Sequence, residues 1–172
     1  MNADGTVDTT FSTNIISGAV HAIAELPDGK DLIGGTVANE NYTPVQRLAR
    51  LNSDGSLDTT FQASINNAFS RIAVTSSGLI YITGKFTQVS STPRARIARL
   101  HSNGQLDTSF DPGLGCASEP QGLILQPSGG VLLATVNQYN GSPVSPLIRV
   151  LADGSLDSTI QVTFTNRHRI FR

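Results

Sequence analysis

Fifty residues is the period of this chain. Asp4, Asp54, Asn103 and Asp153 stand 50, 49 and 50 positions apart, each inside a related decapeptide. These read "NADGTVDTTF" (2–11), "NSDGSLDTTF" (52–61), "HSNGQLDTSF" (101–110) and "LADGSLDSTI" (151–160). Other positions keep the same register: Ile23, Ile72 and Leu123; Gly29, Gly78 and Gly129; Arg50, Arg99 and Arg149. Such a period demands tandem structural units, and a unit of this size must lean on its neighbours to form a core. The register divides the chain into 1–11, the tail of a preceding repeat; three units at 12–61, 62–110 and 111–160; and 161–172, the start of a following repeat. The chain thus begins late in one repeat and stops inside the first strand of another. Two expectations compete: a piece of a longer array, or ends satisfied by neighbouring copies.

Inside a unit every periodic segment reads as strand. "AVHAIAEL" (19–26) and "AFSRIAVT" (68–75) alternate as a half-buried strand does. "PDGK", "SSGL" and "PSGG" follow, each with Gly at the third place, where a turn needs positive φ. A second strand ("DLIGGTV", "LIYITGKF", "VLLATVN"), a variable polar loop and a third strand ("QRLARLN", "ARIARLH", "PLIRVLA") complete the unit. The decapeptide then reverses the chain, its second half forming a short fourth strand or a capping turn. No stretch has a 3.6-residue period. The expected fold class is all-β: tandem antiparallel blades of about fifty residues, a β-propeller or an open propeller-like segment.

An acidic decapeptide present four times invites a calcium reading. Asn52, Asp54, Ser56 and Asp58 give the spacing that opens many oxygen-ligand loops, with Asp54 and Asp58 as the carboxylates. The twelfth place, which such a loop fills with Glu, is Ala63, and the copies drift at Asn52 and Asp54. A structural reading accounts for the same letters better. Asp/Asn-Gly is a hairpin signal, with positive φ expected at both central residues, so Gly55, Gly104 and Gly154 serve the turn. Asp8, Asp58, Asp107 and Asp157 precede Thr/Ser pairs, where a carboxylate accepts backbone N–H bonds. Phe11, Phe61, Phe110 and Ile160 are expected to plug the blade interface. Arg50, Arg99 and Arg149 precede the last three of those Asp by eight residues, one hairpin's length, which predicts an Arg–Asp latch in each blade.

Enzyme chemistry finds no foothold. The three His occupy non-equivalent places without ligand-spaced partners, and the single Cys116 allows neither a disulfide nor a multi-cysteine metal site. No nucleophile elbow, zincin helix or phosphate loop occurs. We expect a non-enzyme with no cofactor and no metal. A net charge of −1 gives no reason to expect nucleic acid, and no apolar run reaches a membrane span. Arg94 and Arg96 read as outward arginines of a strand, and "RHRIFR" (167–172) as a basic end. The loops 38–45, 87–93 and 137–145 vary most, and contain "NYT" (41–43) and "NGS" (140–142) as glycosylation triplets. Ten Arg against two Lys, on a Thr/Ser/Asn-rich surface, suits a secreted or surface-exposed β protein. No leader is visible at the N-terminus.

"VHAIAELPDGKDLIGG" (20–35), "RLARLNSDGSLDTTF" (47–61) and "RIARLHSNGQLDTSF" (96–110) resemble the delta-60 repeat family of bacterial propeller-like proteins. The third unit is more degenerate, with Ala134–Thr135 in place of two glycines. The resemblance implies a propeller fold in surface or secreted proteins and supplies no assigned activity. The expected role is an extracellular scaffold or adhesion module whose partners are copies of itself or the rest of a longer array, able to assemble into filaments or rings. The alternative is a module that binds a glycan or peptide through the variable loops.

Overall fold

The computed structural model describes residues 3–12, 15–35, 38–39 and 47–160. Each unit contributes five described strands, in one order in the second and third units, while the first has a short strand ahead of its blade. The first has β1 (Ile15–Ser17), β2 (Val20–Glu25), β3 (Asp31–Gly35), β4 (Ala38–Asn39) and β5 (Leu48–Leu51). The second has β6 (Phe69–Val74), β7 (Ile80–Gly84), β8 (Gln88–Val89), β9 (Thr92–Pro93) and β10 (Ile97–Leu100). The third has β11 (Gly122–Leu125), β12 (Val131–Ala134), β13 (Gln138–Tyr139), β14 (Ser142–Pro143) and β15 (Leu147–Val150). Three of the five make an antiparallel blade whose second strand lies in the middle: β2–β3–β5, β6–β7–β10 and β11–β12–β15. No helix occurs among the described residues. The chain is all-β, as its periodicity predicts.

The blades lean on one another through alternate faces. In β7 the run Ile80–Gly84 is buried throughout. Successive side chains of a strand point to opposite faces, so Ile80 and Ile82 join Leu32 and Leu48 of the first blade, while Tyr81 joins Val131, Leu133 and Ile148 of the third. The first strands also pack in series, β2 on β6 and β6 on β11. Each fully buried Leu, Ile or Phe contributes about 1.5–3 kcal/mol, so the two inter-blade clusters, rather than any single sheet, hold the chain together. The closest fit is at Gly34, where an added Cβ would lie 1.5 Å from Cζ of Phe69. The Phe69 ring occupies the space a side chain would need.

Both kinds of tight turn are three-residue hairpin loops. At 101–105, Gly104 N donates to His101 O (2.9 Å) and His101 N to Gln105 O (2.8 Å), with Gly104 at φ 89°. The expectation of positive φ at both turn residues is corrected here: Asp4, Asp54, Asn103 and Asp153 keep negative φ, and only the glycine is left-handed. A type I turn closed by a left-handed residue needs it at one place only. The acidic residue instead accepts the amide two residues on, as Asp54 Oδ1 does from Ser56 N (2.9 Å).

Two further features take definite form, and one expectation changes. The second half of the decapeptide is a capping turn and not a fourth strand, joined to its blade by single bridges, Leu51 to Leu57, Leu100 to Leu106 and Val150 to Leu156. Two of the variable loops are small hairpins, β8–β9 and β13–β14. Arg94 and Arg96 do not point outward. Arg94 is buried and pairs with Asp111 (3.5 Å), and Arg96 Nη1 donates to Cys116 O (2.8 Å), so both tie the second unit to the start of the third. The segment 161–172, residues 40–45 and the "NYT" triplet lie outside the described residues.

Candidate functional site: a repeated clasp between blades

The eight-residue Arg–Asp spacing becomes a contact because the hairpin sets the two residues opposite each other. Asp58 N donates to Arg50 O (2.8 Å), Asp107 N to Arg99 O (2.9 Å) and Asp157 N to Arg149 O (2.9 Å). The side chains then meet. Arg50 Nε donates to Asp58 Oδ2 (3.0 Å) and Arg99 Nε to Asp107 Oδ2 (2.7 Å), and Arg149 Nε donates to Asp157 Oδ2. The other carboxylate oxygen caps the next turn: Asp107 Oδ1 accepts from Ser109 N (3.0 Å) and Ser109 Oγ (2.6 Å). Thr60 and Thr159 serve Asp58 and Asp157 in the same way, and Thr10 serves Asp8.

The guanidinium also reaches out of its own blade. Arg50 Nη1 donates to Ser102 O (2.5 Å) and Arg99 Nη1 to Ala152 O (2.6 Å), the same turn carbonyl of the next unit in each case. Arg50 stacks over Phe61 at 5.1 Å and Arg99 over Phe110 at 5.2 Å, and Arg99 also donates to Tyr81 Oη (3.1 Å). Five guanidinium donors in a planar fork suit this task, since one group serves a carboxylate, a hydroxyl and a distant carbonyl at once. Burial alone would raise the Asp58 carboxyl, but Lys30, Thr60 and the charge of Arg50 together hold it well below the ordinary carboxylate range. The same balance, with Ser109 and Arg99, lowers Asp107. For Asp157 the Thr159 hydroxyl is the main cause, followed by the Thr159 amide and then Arg149.

A second device closes each unit on itself. Ser12 N donates to Asp54 O (2.9 Å), Gln62 N to Asn103 O (3.2 Å) and Asp111 N to Asp153 O (2.8 Å). The strap lies directly over the turn glycine: a Cβ on Gly104 would stand 2.8 Å from Gln62 O, and one on Gly154 2.5 Å from the carbonyl carbon of Asp111. Gly55, Gly104 and Gly154 are therefore required twice, by φ and by the strap.

The copies are not equal. Phe61 and Phe110 are buried in the inter-blade clusters, whereas Phe11 is 39% exposed and lies outside both. Asp8 caps its turn without a cationic partner there. In the third copy Arg149 Nη1 has no acceptor among the described residues, and its side chain is 29% exposed against 9% and 8% for Arg50 and Arg99. The calcium candidates Asp54 and Asp58 direct their oxygens to Ser56, to Thr60, and to Arg50 and Lys30. Cys116 is fully buried, and burial pushes its thiol up to about 12. Sequence reasoning missed Lys30, whose Nζ lies 2.6 Å from Asp58 Oδ2, although it is one of only two lysines. It also missed Tyr81 and the carbonyls of Ser102 and Ala152, for which no residue type is a signal.

A family model described as "Domain of unknown function (DUF5122) beta-propeller" matches residues 26–61, 75–110 and 126–159, more than half of the chain. Each match ends at or beside the last residue of a decapeptide. No curated protein matches. A crystal structure of a protein of unknown function from Bacteroides caccae is similar at 13% identity and a TM-score of 0.37, over 81% of this chain. The chain spans 65% of the length of that one.

Proposed function

Because the chain belongs to the DUF5122 beta-propeller family, we propose that it works as a non-enzymatic scaffold whose blades extend by docking on further blades, with a second copy of the chain as one such partner. The observation that carries this reading is a pair of half-interfaces. At each internal junction a forward face (Leu32, Leu48 and Arg50; then Tyr81, Ile97 and Arg99) meets the backward face of the next blade. The third blade offers the same forward face, with Arg149 Nη1 unengaged among the described residues and Ile124 63% exposed. On the first blade the backward-facing Ile23 is 70% exposed, although its counterpart Ile72 packs against the core. Head-to-tail docking of such unlike faces gives rings where the rotation closes and filaments where it does not. A secreted or cell-surface setting, an adhesive role and the delta-60 name belong to the same reading, supported by the Lys-poor, Ser/Thr/Asn-rich composition and by the motif matches.

Sedimentation velocity over a hundred-fold range of concentration tests it. We expect a mass that rises above 18.2 kDa with concentration, and Ile124→Asp or Arg149→Glu should return the chain to monomer. A wild-type protein that stays monomeric throughout, or assemblies indifferent to both substitutions, would sink the idea.

A further inference from the structure

We propose that the groove between the first two blades is a binding site for neutral oligosaccharide. The groove, of about 770 Å³, runs between the connector 60–64, the turn 103–108 and the tip of the β8–β9 hairpin. Its volume lies within the range of small-molecule clefts. Its lining carries Gln62, Ser64, Ser90, Thr92, Asn103 and Gln105 beside the apolar Phe61, Leu48 and Leu106. No charged side chain lines it.

The repeat does not require these residues. At the second junction the corresponding positions are Asp111, Gly113, Asn140, Ser142, Asp153 and Ser155. There the place is acidic, and Asn140 fills it: its Oδ1 accepts from Leu114 N at 3.0 Å, and a Cβ on Gly113 would stand 2.6 Å from that same oxygen. The clasp and strap are kept at both junctions, so their needs cannot explain why one groove is open, amide-rich and uncharged.

The side chains of Gln62, Ser64, Ser90, Thr92 and Gln105 make no hydrogen bond with other described residues, as their absence from the internal network shows. Their capacity is free for a ligand. A primary amide offers a donor and an acceptor in one plane, the pattern that vicinal hydroxyls of a sugar complement, and Ser and Thr hydroxyls serve either role. The apolar part of the lining suits the C–H face of a sugar ring. An ionic ligand would find no counter-charge, and burying a charge without one is costly.

The test is affinity electrophoresis and calorimetry of the whole chain against a panel of neutral oligosaccharides (α- and β-glucans, xylan, mannan and chitin fragments), with an uncharged Ser/Gln-rich peptide as comparison. We expect at least one saccharide to bind, with little salt dependence because no charge is involved. Gln62→Ala/Gln105→Ala should weaken it about ten-fold or more, whereas Ser155→Ala at the other junction leaves it unchanged. An unaltered melting temperature and an unaltered sedimentation profile of the double variant separate this from misfolding and from the docking of blades. The proposal is overturned if no saccharide on the panel binds, if binding survives the double variant, or if only the peptide binds.

Discussion

Replacing Arg99 by Met keeps the side chain's length and removes its charge and donors. In the native structure that guanidinium makes four hydrogen bonds, to Asp107, Ser109, Tyr81 and Ala152. Asp107, only 4% exposed, keeps its bonds from Ser109 but loses the cation on Oδ2. Breaking a buried pair from one side costs about 3–5 kcal/mol, because the remaining charge stays buried without compensation. We expect Arg99→Met to fall in that range by urea unfolding followed by far-ultraviolet circular dichroism. Asp107→Asn in the Arg99→Met background should add less than it does alone, with a coupling of about 1–3 kcal/mol, since the stranded charge is then gone. Arg149→Met is the internal control, measured where the protein is dilute. Its guanidinium is more exposed and spans no junction among the described residues, so its loss should be clearly smaller. Equal losses at Arg99 and Arg149 would refute the idea that the clasp gains its strength from being enclosed between blades.

Two other outcomes follow from the geometry. Asp58, Asp107 and Asp157 are all lowered in the folded state, so the stability they supply is fully present above the ordinary carboxylate pKa of about 4 and is lost as pH falls through their folded values; urea midpoints should be level from pH 7 to 5 and drop by pH 3, and a higher midpoint at pH 3 would contradict the clasp. Gly34→Ala sets a methyl into the Phe69 ring and should cost about 1–3 kcal/mol, while Phe69→Ala in that background should cost less than in the wild type, a non-additivity that thermal melts would reveal.

The architecture was legible because repetition multiplies weak signals. A single Arg eight residues before an Asp says little, but Arg50/Asp58, Arg99/Asp107 and Arg149/Asp157 together predict the pair that the hairpins form. What escaped are contacts made to backbone or across units. The carbonyls of Ser102 and Ala152 accept from arginines about half a hundred positions away, and any residue type supplies a carbonyl. Arg94 and Arg96 looked solvent-facing because their local pattern is polar, yet the next unit's connector covers them. The turn was identified from Asp-Gly, but the loop length that sets its φ values depends on how the flanking strands pair. The groove left no trace in the period, since it is made of residues in which the copies differ.

The strap has a consequence for how such chains change in length. Gln62 begins a unit and is fastened to Asn103 near the unit's end, as Ser12 is to Asp54 and Asp111 to Asp153. A cut between Phe61 and Gln62 severs no strap and leaves each side a self-fastened cassette. Insertion or deletion of whole cassettes at that joint changes the blade count while every internal fastening is preserved, so the number of repeats is free to vary in a lineage where the fold within each one is not.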